Sequence, residues 1–168
     1  NGTDVGDLTE AKLARAGQNS TTDGYASGGV NNPGSGRISV IDKYSFASDG
    51  NASDVGDITP APAGRYGGSG TSSTTHGYTA GGAAPSYTNI IDKFPFAADG
   101  NATDVGDLTG SRRYCTGQSS TAYGYTSGGF LYPNSINVID KFSFTTDGNA
   151  TDVGDLTVSR QILAGQNY

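Results

Sequence analysis

The chain has 168 residues, of which 27 are glycine, and it contains neither tryptophan nor methionine. Its formal net charge of −6 disfavours nucleic acid as a partner, because phosphate neutralisation needs a basic surface. A single cysteine excludes an internal disulfide, and no apolar run approaches the roughly 18 residues that a transmembrane helix needs. We therefore expect neither nucleic acid nor a membrane among the partners of this chain.

One acidic phrase recurs along the chain. It reads DGNASDVGDIT at residues 49–59 and DGNATDVGDLT at 99–109 and 147–157, and the chain opens with NGTDVGDLT. Self-similarity at a step near 50 residues indicates an array of equivalent units. We interpret the chain as a single repeat array over residues 1–168, with units at 1–50, 51–100 and 101–148 and a partial unit at 149–168.

Each unit is predicted to contain four short strands. A small-residue strand such as Cys115–Ser120 comes first, and a strand with the pattern GY-x-x-GG follows a glycine turn. The third strand, as in Val138–Phe144, alternates Ile, Lys and Ser with Asp, Phe and Phe, which is typical of a strand with one buried face. Asp-Gly then indicates a hairpin turn, and Val-Gly-Asp-Leu-Thr is predicted to be the outer strand.

Three complete four-stranded units follow from this pattern, and a single strand is predicted on either side of them. The complete units run from Leu13 to Thr59, from Arg65 to Thr109 and from Arg113 to Thr157. The single strands are Asp4–Thr9, an outer strand, and Ile162–Tyr168, an inner one. No segment has a sustained helical period, so the fold class is predicted to be all-β.

The order of these features resembles the kelch repeat. In that repeat a Gly-Gly pair ends the second strand, and a variable loop and an aliphatic–Asp–x–aromatic strand follow. A basic residue precedes the next strand, as do Arg15, Arg65, Arg113 and Arg160 in this chain. The resemblance covers essentially the whole chain, and the near-identical units also resemble repeat proteins predicted in marine phages and bacteria. Val-Gly replaces the Trp common in the outer kelch strand, so other glycine-rich propellers fit the pattern as well.

The resemblance implies a β-propeller built from four-stranded antiparallel blades. Closed propellers typically have 4–8 blades, so three blades leave two sheet faces uncovered. We therefore expect self-association or membership of a larger parent assembly. Two chains would supply six complete blades.

The acidic phrases offer a candidate Ca²⁺ site, because carboxylate and amide oxygens are the ligands that this ion prefers. Their spacing differs from that of an EF-hand loop, and the alternative is a turn in which Asp and Asn side chains cap backbone N–H groups. The candidate ligands are Asp49, Asn51, Asp54, Asp57, Asp99, Asn101, Asp104, Asp107, Asp147, Asn149, Asp152 and Asp155. The same phrases contain N-x-S/T sites, which would be glycosylated in a secreted eukaryotic protein.

The sequence offers little for catalysis. His76 is the only histidine, which excludes a site with several histidine ligands and leaves any hydrolase triad dependent on a residue in a Ser/Thr-rich turn. Copper oxidases of the kelch type need two histidines beside Tyr and Cys, so Tyr114 and Cys115 do not suffice. Cys115 is interpreted as a small buried apolar residue. We expect no catalytic residues, no enzymatic activity and no cofactor apart from the candidate calcium.

The loop after each Gly-Gly pair differs between units, although most of the unit is nearly constant. These loops contain Tyr, Asn and Ser, which provide rigid aromatic contacts and adaptable hydrogen bonds in antibody paratopes. The alternative is an ordinary surface loop that tolerates variation. The predicted ligand contacts are Asn32, Tyr87, Phe130, Leu131, Tyr132 and Asn134.

These features predict a non-enzymatic binding or structural module. It would belong to a larger extracellular or virion assembly, such as a tail or fibre, and would recognise a glycan or a protein through the loops after Gly-Gly. The alternative function is a purely structural repeat protein that self-associates into a ring or fibre from several chains.

Overall fold

The structure is a computed structural model that describes residues 2–31, 36–60 and 63–165. Within these residues the fold is all-β, with three four-stranded antiparallel sheets and three two-stranded ones. No helix in the described part of the chain is long and apolar enough to cross a membrane.

Each four-stranded sheet follows chain order, and every neighbouring pair of strands is antiparallel. This confirms the prediction of four strands in each complete unit. The first sheet contains Ala16–Asn19, Asp23–Ser27, Val40–Ser45 and Ser53–Asp57. The second contains Ser69–Ser72, His76–Ala80, Ile90–Pro95 and Thr103–Asp107. The third contains Thr116–Ser119, Tyr123–Ser127, Val138–Ser143 and Thr151–Asp155.

The two-stranded sheets lie outside the predicted pattern. In the second and third units, residues after Gly-Gly form short hairpins, whereas in the first unit they pair with the segment that precedes the first sheet. The pairs are Lys12–Leu13 with Val30–Asn31, Ala83–Ala84 with Ser86–Tyr87, and Phe130–Leu131 with Asn134–Ser135. The variable loops are therefore partly ordered by backbone pairing.

The predicted strand at Asp4–Thr9 is wrong, because no strand is assigned there. The segment accepts backbone hydrogen bonds from Gly50 to Val5 and from Ala52 to Asp7, and the N–H of Asp7 donates to the side chain of Asn51. The predicted strand at Ile162–Tyr168 is wrong over its described residues, 162–165, where the positive φ of 57° at Ile162 turns the backbone. The last three residues of that prediction lie outside the described residues.

The apolar core lies between the sheets. One cluster joins Tyr25 and Ile41 of the first sheet to Phe94 of the second, and the other joins Tyr78 of the second sheet to Phe142 of the third. The expectation that the aromatic strand buries one face is wrong for the second sheet. Both Ile91 and Phe94 are at most 1% exposed, because this sheet has a neighbour on each side.

Glycine in the GY pattern makes room for the aromatic strand beside it. A Cβ at Gly77 would overlap the ring of Phe94, and the third sheet repeats this arrangement with Gly124 and Phe142. Glycines also bring the first strands of neighbouring sheets into contact, since a Cβ at Gly70 would overlap the carbonyl of Gly17. The small residues of the repeat therefore set how closely its sheets pack.

Candidate ligand-binding surface

The hairpins after Gly-Gly are tied to the segments that lead into the first strand of each sheet. Tyr87 pairs with Ala83 within its hairpin. Backbone bridges join Ala83 to Tyr66 in the second unit and Phe130 to Arg113 in the third. These pairings place aromatic side chains from two units at the same end of the array.

Arg113 lies at the centre of these side chains. Its guanidinium carbon is 4.6 Å from the ring centroid of Tyr114, 5.2 Å from that of Tyr87 and 5.5 Å from that of Tyr66. The ring of Phe130 is 5.8 Å away, and Nη1 of Arg113 donates a hydrogen bond to the Tyr66 hydroxyl. Cation–π contacts of this kind hold the arginine and the rings in one geometry.

The rings also contact one another. The centroids of Tyr87 and Phe130 are 6.3 Å apart, and those of Phe130 and Tyr132 are 6.4 Å apart, both in edge-on arrangements. Tyr132 is 77% exposed, so its ring faces are open to solvent. We call this group the aromatic–arginine cluster; its members are Tyr66, Tyr87, Arg113, Tyr114, Phe130 and Tyr132.

The structure thus brings together three of the six residues predicted to contact a ligand. Leu131, 44% exposed, neighbours them in the chain and pairs with Asn134, which is also exposed. Asn32 lies outside the described residues. Arg113, Tyr66 and Tyr114 were missed as binding residues, because Arg113 was assigned to the general basic position of the repeat.

A cleft of about 400 Å³ opens beside the cluster. Tyr66 and Tyr87 line it with aromatic rings, and Arg37, Ser86 and Arg113 add polar groups. A concave surface with aromatic walls and a few polar groups is typical of small-ligand sites. The rings can stack against a flat apolar face of a ligand, and the polar side chains can hydrogen-bond to groups at the edge of that ligand.

The acidic phrases lie at the contacts between neighbouring units. The backbone N–H of Asp57 donates to the side chain of Asn101 at 3.0 Å, and that of Ala102 donates to the carbonyl of Asp57 at 2.8 Å. The next pair of phrases repeats this through Asp107 and Asn149, at 3.1 Å. The phrase therefore links one unit to the next, and its Asp-Gly lies in a connection of seven residues rather than in a tight hairpin.

Most oxygens proposed as calcium ligands accept hydrogen bonds or pair with lysines. Asp54, like its equivalents Asp104 and Asp152, accepts from the glycine two residues later. Asp99 and Asp147 pair with lysines of the preceding sheets at 3.4 Å and 2.6 Å. Exposed carboxylates remain at Asp49 and Asp155. Across residues 2–31, 36–60 and 63–165, no group of three or more His, Cys, Asp or Glu side chains is placed to hold a metal ion.

A buried polar contact, missed by the sequence analysis, occurs in each of the three four-stranded sheets. In the second sheet the side chains of Asp92 and Arg65 are both fully buried, with Oδ2 and Nη2 3.0 Å apart. Thr59 donates its hydroxyl to the same carboxylate at 2.7 Å. Burial raises the pKa of Asp92, and the charge of Arg65 opposes that rise. We call this contact the Thr–cation–Asp clamp.

The clamp is repeated in the other two sheets. The Asp140 carboxylate accepts a hydrogen bond from the Thr109 hydroxyl at 2.7 Å and pairs with Arg112 at 2.8 Å. In the first sheet Lys12 pairs with Asp42 at 2.8 Å. Thr9 supplies the hydroxyl in the first sheet. Each Thr and each cation precedes the sheet to which it binds, so the clamp also links successive units. Of the basic residues that the kelch resemblance singled out, Arg65 belongs to a clamp, whereas Lys12 and Arg112, rather than Arg15 and Arg113, bind the aspartates of the first and third sheets.

His76 and Cys115 are not members of the cluster. His76 is the first residue of the strand His76–Ala80, where its Nδ1 is 2.8 Å from the Thr75 hydroxyl, and burial and the nearby Lys93 lower its pKa. Cys115 is buried as expected, and burial raises the pKa of its thiol, which keeps it in the unreactive protonated form.

No protein-family model matches the chain, and a comparison with curated proteins gives no match. The functional argument therefore depends on the chain's own residues.

Proposed function

We propose that this protein is a non-enzymatic binding module whose three sheets are blades of a kelch-like propeller. The order of strands in each sheet and the Gly-Gly pair before each variable segment support this assignment. The binding surface is the aromatic–arginine cluster with its adjoining cleft. Its ligand is a glycan, and the module is part of a larger extracellular or virion assembly.

The observation that carries the proposal is the convergence of residues from two units on Arg113. The positions equivalent to Arg113 and Tyr114 are Leu13 and Ala14 in the first unit and Tyr66 and Gly67 in the second. Only the contact between the second and third units combines an arginine with four rings within 6 Å among the described residues. A surface unique to one place in a repetitive molecule is suited to a specific ligand.

The chemistry of the cluster favours a glycan over an anionic or strongly apolar ligand. Exposed rings such as that of Tyr132 offer apolar faces to the C–H side of a sugar, and tyrosine hydroxyls, Ser86 and Arg37 can hydrogen-bond to its hydroxyl groups. The net charge of −6 opposes binding of a polyanion. Four rings surround the guanidinium of Arg113, and its Nη1 donates to the Tyr66 hydroxyl, so it positions the surface rather than attracting charge.

A glycan array tests the proposal. We expect the chain to bind at least one neutral glycan and to lose that binding in Tyr132→Ala and Tyr87→Ala. Tyr123→Ala is the matched control, because Tyr123 is a 40%-exposed tyrosine that begins its strand at the opposite end of the third sheet. Absence of binding to every glycan, or equal loss in the control, would reject a glycan site at the cluster.

A further inference from the structure

The cleft beside the aromatic–arginine cluster is lined by two arginines, although the protein is acidic. Arg37 and Arg113 both lie in the wall of this cleft of about 400 Å³. None of the described residues that line it is acidic, whereas the chain has 16 acidic residues against 10 basic ones and a net charge of −6. Charge of one sign in a cleft focuses the electric field there, so this cleft favours negative charge on a molecule that otherwise repels it.

The two arginines differ in what surrounds them. Four rings surround the guanidinium of Arg113, and its Nη1 donates to the Tyr66 hydroxyl. Arg37 is exposed and belongs to none of the ion pairs or cation–π contacts found among residues 2–31, 36–60 and 63–165. Arg37 is therefore the cation of this cleft whose charge is available to a ligand.

The backbone holds Arg37 at the edge of the cleft. Arg37 forms a backbone bridge with Val30, and the N–H of the next residue, Ile38, donates to the Gly29 carbonyl at 2.9 Å. Tyr87 has the equivalent position in the hairpin of the second unit. No arginine stands there in the second or third unit, so Arg37 belongs with the unrepeated residues that we assign to recognition.

The Tyr66 hydroxyl supplies a second donor in the same wall. This oxygen accepts its hydrogen bond from Arg113, so the hydroxyl hydrogen is not used in that contact and can be donated to a ligand. The exposed Ser86 hydroxyl also lines the cleft, and a guanidinium has donors but no acceptor. The cleft is therefore rich in donors, and it suits a ligand group that accepts hydrogen bonds and carries negative charge.

We propose that the preferred glycan carries one carboxylate, as a uronic acid does, and that Arg37 binds it. This inference rests on the proposed glycan recognition and adds the class of sugar. The planar guanidinium pairs with the two carboxylate oxygens through parallel N–H···O bonds, and the Tyr66 hydroxyl donates to the same group. Neighbouring neutral sugars pack on the rings of Tyr87 and Tyr132. The net charge of −6 opposes a ligand with many carboxylates.

Matched trisaccharides isolate the contribution of the carboxylate. The members of each pair differ at one terminal sugar: glucose against glucuronic acid, galactose against galacturonic acid, or mannose against mannuronic acid. Isothermal titration calorimetry of the full chain measures Kd. We expect the acidic member of at least one pair to bind about tenfold more tightly than the neutral one, by a margin that shrinks at high ionic strength. Equal Kd values within every pair would overturn the proposal and leave glycan recognition in place.

A sulfated sugar tests the choice of the carboxylate. The corresponding 6-sulfate offers an oxyanion at the same carbon atom, but its oxygens are not arranged in a plane. We expect the trisaccharide with the uronic acid to bind more tightly than the one with the 6-sulfate. The reverse order would reject a carboxylate as the preferred group.

Arg37→Gln assigns the preference to one residue. Because Arg37 is exposed, we expect the variant to unfold at the wild-type temperature, to bind the neutral trisaccharide with unchanged Kd and to lose the tenfold preference. Arg15→Gln is the matched control, since it removes the same charge from another exposed arginine outside this cleft. A preference that persists in Arg37→Gln, or that is lost equally in Arg15→Gln, would overturn a carboxylate contact at Arg37.

Arg37→Lys separates the paired contact from charge alone. Lysine keeps the positive charge but cannot form the planar two-bond contact, so we expect a preference between those of the wild type and Arg37→Gln. A preference as large as that of the wild type would contradict the paired contact. Absence of binding to every trisaccharide and to every glycan on the array would reject the proposed function itself, and this inference with it.

Discussion

The junctions between the four-stranded sheets differ in their residues from the hairpin end, which is the end of the sheets where the hairpins after Gly-Gly lie. At the two junctions the same residue types recur: a Thr–cation–Asp clamp, a tyrosine stacked on a phenylalanine and phrase-to-phrase hydrogen bonds. At the hairpin end, the aromatic–arginine cluster has no equivalent in the first unit. The difference indicates that the repeated chemistry holds the array together, while the unrepeated chemistry is available for recognition.

Breaking a clamp should have the largest effect on stability. Asp92→Ala leaves Arg65 buried without its carboxylate, and we expect it to lower the free energy of unfolding by about 3–5 kcal/mol. Asp99→Ala is the control, because its pair with Lys43 is solvent-exposed and should contribute less than about 1 kcal/mol. Urea denaturation measures both. Equal losses would mean that the buried clamp has no special role at the junction.

Removing the junction tyrosine should have a slightly smaller effect. Tyr78 is 2% exposed and packs on two phenylalanines, so Tyr78→Ala should cost about 3 kcal/mol in the free energy of unfolding. Tyr125→Ala, at the equivalent half-buried position of the third sheet, should cost less than about 1 kcal/mol in the monomer. A cost for Tyr125 equal to that for Tyr78 would mean that burial at a junction does not decide how much this tyrosine contributes to stability.

At the hairpin end, stability should change little and binding should change more. Arg113→Lys keeps the charge but loses the planar group that four rings surround, and we expect a cost of about 1 kcal/mol in the free energy of unfolding. Lys141→Ala removes a contact with a single ring, that of Tyr123, and should cost less than about 0.5 kcal/mol. Thermal unfolding compares the two, and a larger loss for Lys141→Ala would argue against a specially ordered cluster.

The smallest effect concerns His76, the first residue of the strand His76–Ala80, which belongs neither to a clamp nor to the cluster. Burial and Lys93 hold its pKa below the usual value of about 6.5, so the unfolded chain binds the proton more readily. The stabilisation is complete above the unfolded pKa and is lost as pH falls through that value toward the folded pKa. We expect the wild type to lose slightly more stability than His76→Gln on acidification through this range. Parallel pH–stability curves for the two proteins would exclude the effect.

The strand pattern could be predicted from the sequence because periodicity and turn residues are local signals. Alternation in the aromatic strand, the Gly-Gly pair and the Asp-Gly turn together predicted the four strands that the structure has in each complete unit. Burial on both faces could not be predicted, since it depends on how closely whole sheets pack. Glycines permit this packing, as Gly70 does against Gly17, but the local sequence pattern predicts such glycines to be turn or flexible residues.

The clamp was missed because its partners are far apart in sequence. In the sequence Asp42 has the pattern of an ordinary polar residue in an alternating strand. Its partners, Thr9 and Lys12, lie about thirty residues earlier. A usable signal was present: the cation stands three residues after Thr in three of the four phrases, at Lys12, Arg112 and Arg160. In the second unit Arg65 stands six residues after Thr59, which hid the regularity. The cluster around Arg113 likewise depends on contacts between units that no local pattern records.

Nuclear magnetic resonance mapping tests the separation between repeated and unrepeated chemistry most directly. The labelled full chain would be titrated with a glycan selected on the array, and backbone amide shifts would be followed residue by residue. We predict shifts confined to the cluster and its hairpins, including Ser86, Tyr87, Arg113, Phe130, Leu131, Tyr132, Asn134 and Ser135. Shifts centred on the acidic phrases at the junctions, with the cluster unchanged, would contradict the assignment of recognition to the hairpin end.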